Sequence, residues 1–160
     1  WSYVRKRKLY VWGRFSRGSR YDLGDNDQKD WNKLGGINLQ VWKESNQNSA
    51  MVAWRYNPDT ELYEINAYGN VGGANVYPPG VMLAIPENTM FMAEFSFPAR
   101  NEVQVQLYSD QVDDWKEEGS FGWTYPVEIK AAAMIGPWFG GNRVAPEDVS
   151  LEVDCDWRKK

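Results

Sequence analysis

Histidine is absent from the 160 residues, which removes the side chain that most often titrates near neutral pH. Ser-His-Asp and Cys-His nucleophile arrangements and histidine-ligated zinc are excluded with it. Cysteine is nearly absent: Cys155 stands alone, so no disulfide closes within the chain, and a buried free thiol is the expectation. No apolar run approaches the roughly eighteen residues that a membrane-spanning helix needs. An excess of positive charge is also lacking. The 18 Lys and Arg against 22 Asp and Glu leave a net charge of -4, which repels a phosphate backbone and argues against nucleic acid as the main partner. Finally, no stretch of a dozen residues carries an apolar stripe of helical period.

Aromatic residues, by contrast, are plentiful. Nine Trp, nine Tyr and six Phe exceed what one small core comfortably buries, so some rings are expected on the surface, where they mark a binding face. The length fits a single domain over residues 1–160, large enough to fold without metal or disulfide. Basic residues crowd its start: Arg5, Lys6, Arg7, Lys8, Arg14, Arg17 and Arg20. Residues 1–8 read as a basic N-terminal arm, either solvated or in contact with another subunit or an anionic glycan. The chain opens at Trp1, which fits a mature secreted product or an excised fragment and permits the expected extracellular, cell-surface or virion setting.

Period-two alternation recurs instead of helical period. In the segment from Leu9 to Phe15, the residues Leu9, Val11, Gly13 and Phe15 face inward, and Tyr10, Trp12 and Arg14 face outward. From Ile37 to Trp42 the same rule turns Asn38, Gln40 and Trp42 outward. The segments Ala50 to Tyr56 and Leu62 to Tyr68 form a hairpin across Asn57-Pro58-Asp59-Thr60-Glu61, whose proline fixes φ and whose Asn and Asp bond local backbone. A second hairpin joins Thr89 to Phe97 with Glu102 to Ser109, and Phe91, Phe95, Phe97, Val103, Val105 and Leu107 fill its buried face. Further strands are expected at Val81 to Ile85, Val127 to Ala132 and Val149 to Asp154, with a short helix as an option over the acidic stretch Asp110 to Glu118. Eight or more short strands separated by Gly and Pro predict an all-β fold, a two-sheet antiparallel β-sandwich of jelly-roll type.

The outward sets mix aromatics with amides and charges, a combination that suits sugars: a ring face covers the apolar face of a pyranose while amides satisfy its hydroxyls. The candidate ligand-binding residues are Trp12, Trp42, Arg55, Glu64, Asn66, Tyr68, Asn70, Gln104, Gln106 and Tyr108. Trp115, Trp123 and Trp138, with Tyr125, either form a platform at the rim or plug the open end of the sandwich. Asp22, Asp25, Asp27 and Asp30 gather hard oxygen ligands of the kind calcium takes, although Lys29 breaks the EF-hand register. Catalysis is not the leaning, and no catalytic residue stands out. Two-carboxylate glycoside hydrolysis needs no histidine, and Glu64 and Glu94 are its face-pointing candidates. The glycines of Gly69-Asn70-Val71-Gly72-Gly73 precede no helix and make no phosphate loop.

Several segments together carry a family likeness: Asp30-Trp31-Asn32-Lys33-Leu34-Gly35-Gly36-Ile37, Trp54-Arg55-Tyr56-Asn57-Pro58, Tyr68, Trp138-Phe139-Gly140-Gly141-Asn142 and Ala145-Pro146. With them the chain resembles lectin-like β-sandwich domains, concanavalin A-like or jelly-roll, of bacterial surface and phage-borne proteins. The likeness spans roughly residues 21–153 and implies a sandwich fold. Gln104-Val105-Gln106 is also similar to the Gln-x-His strand of jelly-roll alginate lyases, but Gln stands where those enzymes need His. The leading expectation is a non-catalytic carbohydrate-binding or adhesion module. A structural subunit of a phage particle or cell-surface complex is the alternative, and a polysaccharide-cleaving enzyme the third reading.

Overall fold

The structure, a computed structural model, describes residues 7–40, 46–110, 115–129, 132–140 and 149–159. Eleven strands run through them: β1 Arg7–Phe15, β2 Asn32–Asn38, β3 Asn48–Asn57, β4 Leu62–Val71, β5 Ala74–Val76, β6 Leu83–Ile85, β7 Met90–Ser96, β8 Glu102–Ser109, β9 Lys116–Thr124, β10 Ala133–Ile135 and β11 Leu151–Lys159. They form two antiparallel sheets. One has the order β11-β1-β7-β8-β9; the other has the order β10-β2-β3-β4-β5, with β6 also paired to β4. The expected β-sandwich is therefore present, built from the meanders β2-β3-β4-β5 and β7-β8-β9; the strand order does not by itself display jelly-roll wiring. Arg7 and Lys8, placed in the basic arm from sequence, belong to β1. No helix among the described residues is long and apolar enough to cross a membrane.

Alternation in the sequence becomes burial in the sandwich. Leu9, Val11 and Phe15 of β1 face the core together with Phe91, Phe95, Val103, Val105 and Leu107 of the same sheet, against Val52, Trp54, Tyr63 and Ile65 of the other. Rings join the layers: Phe15 stacks on Tyr63 of the other sheet at 4.5 Å and meets Trp54 at a tilt at 4.9 Å, while it stacks on Phe91 of its own sheet at 5.5 Å. The core thus absorbs much of the aromatic surplus. Gly13 serves this packing, because a Cβ there would lie 2.5 Å from the Phe91 ring. The β3–β4 turn closes as expected, with Asn57 Oδ1 accepting from the Asp59 and Thr60 amides at 3.1 and 3.4 Å.

Three expectations change. At the end of the optional Asp110 to Glu118 helix the chain is strand instead, because Lys116 through Thr124 pair with β8 across a bulge at Leu107/Tyr108; residues 111–114 of that stretch lie outside the described residues. No strand forms over the described residues 127–129: the Tyr125 and Ile129 amides bond Asn101 O and Arg100 O at the β7–β8 turn, and Pro126 between them has no amide to donate. The strand at Val81 shortens to β6 because Asn66 grips the preceding loop, donating to Gly80 O at 2.8 Å and accepting from the Met82 amide at 2.7 Å.

Buried phenols make this core sensitive to alkali. Tyr63 donates to Ser16 O at 2.8 Å and Tyr125 to Ser49 O at 2.7 Å. Burial pushes the Tyr63 phenol up to about 12 and that of Tyr125 upward as well. An unfolded tyrosine ionises near pH 10, so above that pH the unfolded chain holds fewer protons than the native one, and stability falls as pH rises. Between pH 10 and 12, Tyr63 alone is expected to withdraw of order 2–3 kcal/mol. Urea midpoints measured at pH 9 and at pH 11.5 check this; equal midpoints would contradict it.

Candidate functional site

The described ligand candidates divide between the two outer faces of the sandwich, which corrects the single face expected from sequence. Strand register aligns Trp12 with Met92 and Met92 with Tyr108, Glu94 with Gln106, and Ser96 with Gln104. Trp12, Gln104, Gln106 and Tyr108 therefore share the outer face of the five-stranded sheet. Arg55, Glu64, Asn66, Tyr68 and Asn70 alternate outward from β3 and β4 on the opposite side of the molecule. Trp42 lies outside the described residues.

On the five-stranded face Tyr10 and Trp12 sit side by side, their centroids 6.1 Å apart and their planes tilted by 30°. Trp115 meets Trp12 edge-on at 5.5 Å. The Arg158 guanidinium lies 5.7 Å from the Tyr10 ring and 5.8 Å from the Trp12 ring, and its Nε donates to Asp156 Oδ2 at 2.8 Å. The Lys8 ammonium pairs with Glu94. Gln104 donates to Ser120 Oγ at 2.9 Å and Gln106 to Glu117 Oε2 at 3.2 Å. Burial, reinforced by Glu94, raises the Tyr10 and Tyr108 phenols, so both remain neutral hydroxyl donors at physiological pH. Tyr10, Trp12, Gln104, Gln106 and Tyr108 are all only partly buried. The result is a broad amphipathic platform of ring surface and hydrogen-bonding groups on rigid strands.

The opposite face is largely closed by the chain itself. Asn66 holds the 80–82 loop; Asn70 accepts from Ser49 Oγ at 3.0 Å and donates to Asn75 Oδ1 at 2.8 Å. Tyr68 packs with Met51 and Ala53, stacks on Tyr77 at 5.6 Å and carries the Lys33 ammonium 4.2 Å above its ring. These three candidates are structural, because their polar groups or ring faces are already taken. Burial pulls the Lys33 ammonium below the usual lysine range.

Arg55 and Glu64 line a cleft of about 320 Å³ between the 22–29 segment and the β3–β4 turn, with Asp22, Asp25, Gln28 and Asn57. Glu64 accepts from Arg55 Nε at 2.6 Å and from Asn57 Nδ2 at 2.8 Å, while the guanidinium also bonds Lys29 O and lies 4.4 Å from the Trp31 ring. Asp22 accepts from the Gly24 amide and Asp25 from the Asp27 amide, capping the short 3-10 turn Asn26–Lys29. Among the described residues no three of His, Cys, Asp and Glu converge as a metal site.

Glu64 and Glu94 stand on opposite faces, each already bonded. A glycosidase needs its two carboxyls within about 10 Å across one bond, so this pair cannot supply that chemistry. Of the aromatics expected at the rim, Trp123 of β9 and Tyr125 are buried, whereas Trp115 and Trp138 stay about 40% exposed. Cys155 is free and half-buried, and burial raises its thiol pKa.

Two of the segments that carried the family likeness, 30–37 and 138–140, meet in space. Asn32 donates to the Tyr21 hydroxyl at 2.9 Å and accepts from the Gly140 amide at 2.7 Å, and Lys33 and Trp138 exchange backbone bonds. A Cβ at Gly140 would come 2.3 Å from Trp31 O, so only glycine fits that approach. Gly141, Asn142, Ala145 and Pro146 lie outside the described residues. Tyr10 and Arg158 complete the platform but were not among the sequence candidates. The alternation on β1 already turned Tyr10 outward; Arg158 gives no local signal, because only the β1–β11 pairing brings it there. Comparison with protein-family models, curated proteins and solved structures gives no match.

Proposed function

We propose that this protein is a non-catalytic carbohydrate-binding or adhesion module of an extracellular, cell-surface or virion setting, and that its ligand lies along the outer face of the five-stranded sheet. The observation that carries this reading is the grouping, on one sheet face, of Tyr10 and Trp12 of β1 with Gln104, Gln106 and Tyr108 of β8, the two strands that flank β7, all partly open to solvent. Ring surfaces replace water against the apolar face of a sugar, and the amides, phenols and Arg158 meet its hydroxyls, which would otherwise lose hydrogen bonds on burial. Aromatic anchors dominate interfaces of this kind. Trp12→Ala and Tyr108→Ala are each expected to weaken polysaccharide binding about tenfold or more with thermal unfolding unchanged, as read by affinity electrophoresis and calorimetric titration. Wild-type affinity in both folded variants would remove the face from consideration.

The second reading is a structural subunit of a phage particle or cell-surface assembly. Tyr77, Met134 and Trp138, all exposed, favour it as apolar surface available to a partner or a second copy. Light scattering across a concentration series tests it: a monomer throughout, without partner capture, counts against it.

A further inference from the structure

We infer, resting on the reading above, that the platform selects a glycan without carboxylate or sulfate groups. The register lays a continuous row across all five strands: Asp154, Trp12, Met92, Tyr108 and Glu117. A carboxylate stands at each end of this row, so the central rings are bracketed by negative charge. The neighbouring row runs Asp156, Tyr10, Glu94, Gln106 and Ser120 and brings two more acids.

The described cations on this face are already engaged. Lys8 pairs with Glu94, Arg14 with Glu152 and Arg158 with Asp156. After those pairings Glu102, Glu117 and Asp154 have no ion pair among the described residues. An acidic polysaccharide laid over the rings meets like charge at both edges and, among the described residues, no uncommitted cation between them, whereas a neutral one finds acceptors for its hydroxyls at the same places. Like-charge juxtaposition of this kind works as a discriminator against the wrong partner. Because the charges lie at the surface, the discrimination weakens with salt over a Debye length of about 10 Å at 0.1 M.

Affinity electrophoresis at low salt tests this, with xyloglucan, galactomannan and mixed-linkage glucan as uncharged probes and alginate, polygalacturonate and carrageenan as acidic ones. Retardation by an uncharged polymer and none by the acidic set is the expected result. The double variant Glu117→Gln/Asp154→Asn, shown to be folded by its thermal transition, is expected to raise acidic-glycan affinity about tenfold. If an acidic polymer binds the wild type more tightly than any uncharged one, and Trp12→Ala abolishes that binding, the selectivity is overturned while the binding-module reading stands. If neither set binds, by electrophoresis or calorimetry, both fall.

Discussion

Trp54→Ala is expected to cost about 3–5 kcal/mol of stability, the range for removing a large aromatic side chain from a packed core. Trp54 is 2% exposed and touches rings of both sheets: Phe15 at 4.9 Å, Tyr21 edge-on at 5.7 Å and Tyr63 at 6.2 Å. Phe15 and Tyr63 are themselves stacked, so little can move inward to fill the space. Urea unfolding should show a lower midpoint at unchanged slope, and the melting temperature should drop by about 10 °C for a chain of this size. Trp54→Phe keeps most of the volume and should lose markedly less. Equal stabilities for the two variants would mean that this cluster is not the keystone between the layers.

Gly36→Ala is the second large effect. Gly36 pairs with Met51, just past the bulge at Lys33/Gly35. A Cβ there would lie 2.1 Å from Ala50 O and 2.6 Å from Met51 Cα. Both obstacles are backbone of the neighbouring strand, so relief requires separating β2 from β3 rather than turning a side chain. The expected cost reaches or exceeds the upper end of the roughly 1–3 kcal/mol typical of overpacking. Gly80→Ala is the control, since nothing lies within 4 Å of its Cβ position, and it should stay within about 0.5 kcal/mol of the parent. Thermal unfolding of the pair decides the matter; similar transitions would show that the β2–β3 approach is looser than the structure has it.

The strands of the two central hairpins were legible because alternation and turn chemistry agree: Asn57-Pro58 closes β3 onto β4, and Phe91, Phe95, Val105 and Leu107 mark one buried face. β9 was not legible. Its sequence, Lys116-Glu117-Glu118-Gly119-Ser120-Phe121-Gly122-Trp123-Thr124, combines charge and two glycines at a sheet edge, where apolar alternation is not required. The site was half legible for a more general reason. A period of two tells whether a side chain points in or out, but not which of two sheets it leaves. Tyr68 and Tyr108 carry the same outward signal, yet long-range pairing sets them on opposite sides, and the 77–82 segment covers the face that Tyr68 occupies. The Glu64 and Glu94 pair failed as catalytic candidates on the same ground.

Antiparallel pairing of β1 with β11 sets Arg7 opposite Lys159 and Phe15 opposite Leu151. A tether pulling on both ends therefore acts at one corner of the sheet and loads the β1–β11 hydrogen bonds one pair at a time, starting from Arg7 and Lys159. That is a peeling geometry rather than a shearing one, so under tension applied through its two ends the domain gives way at low force, with β11 the first strand to come off.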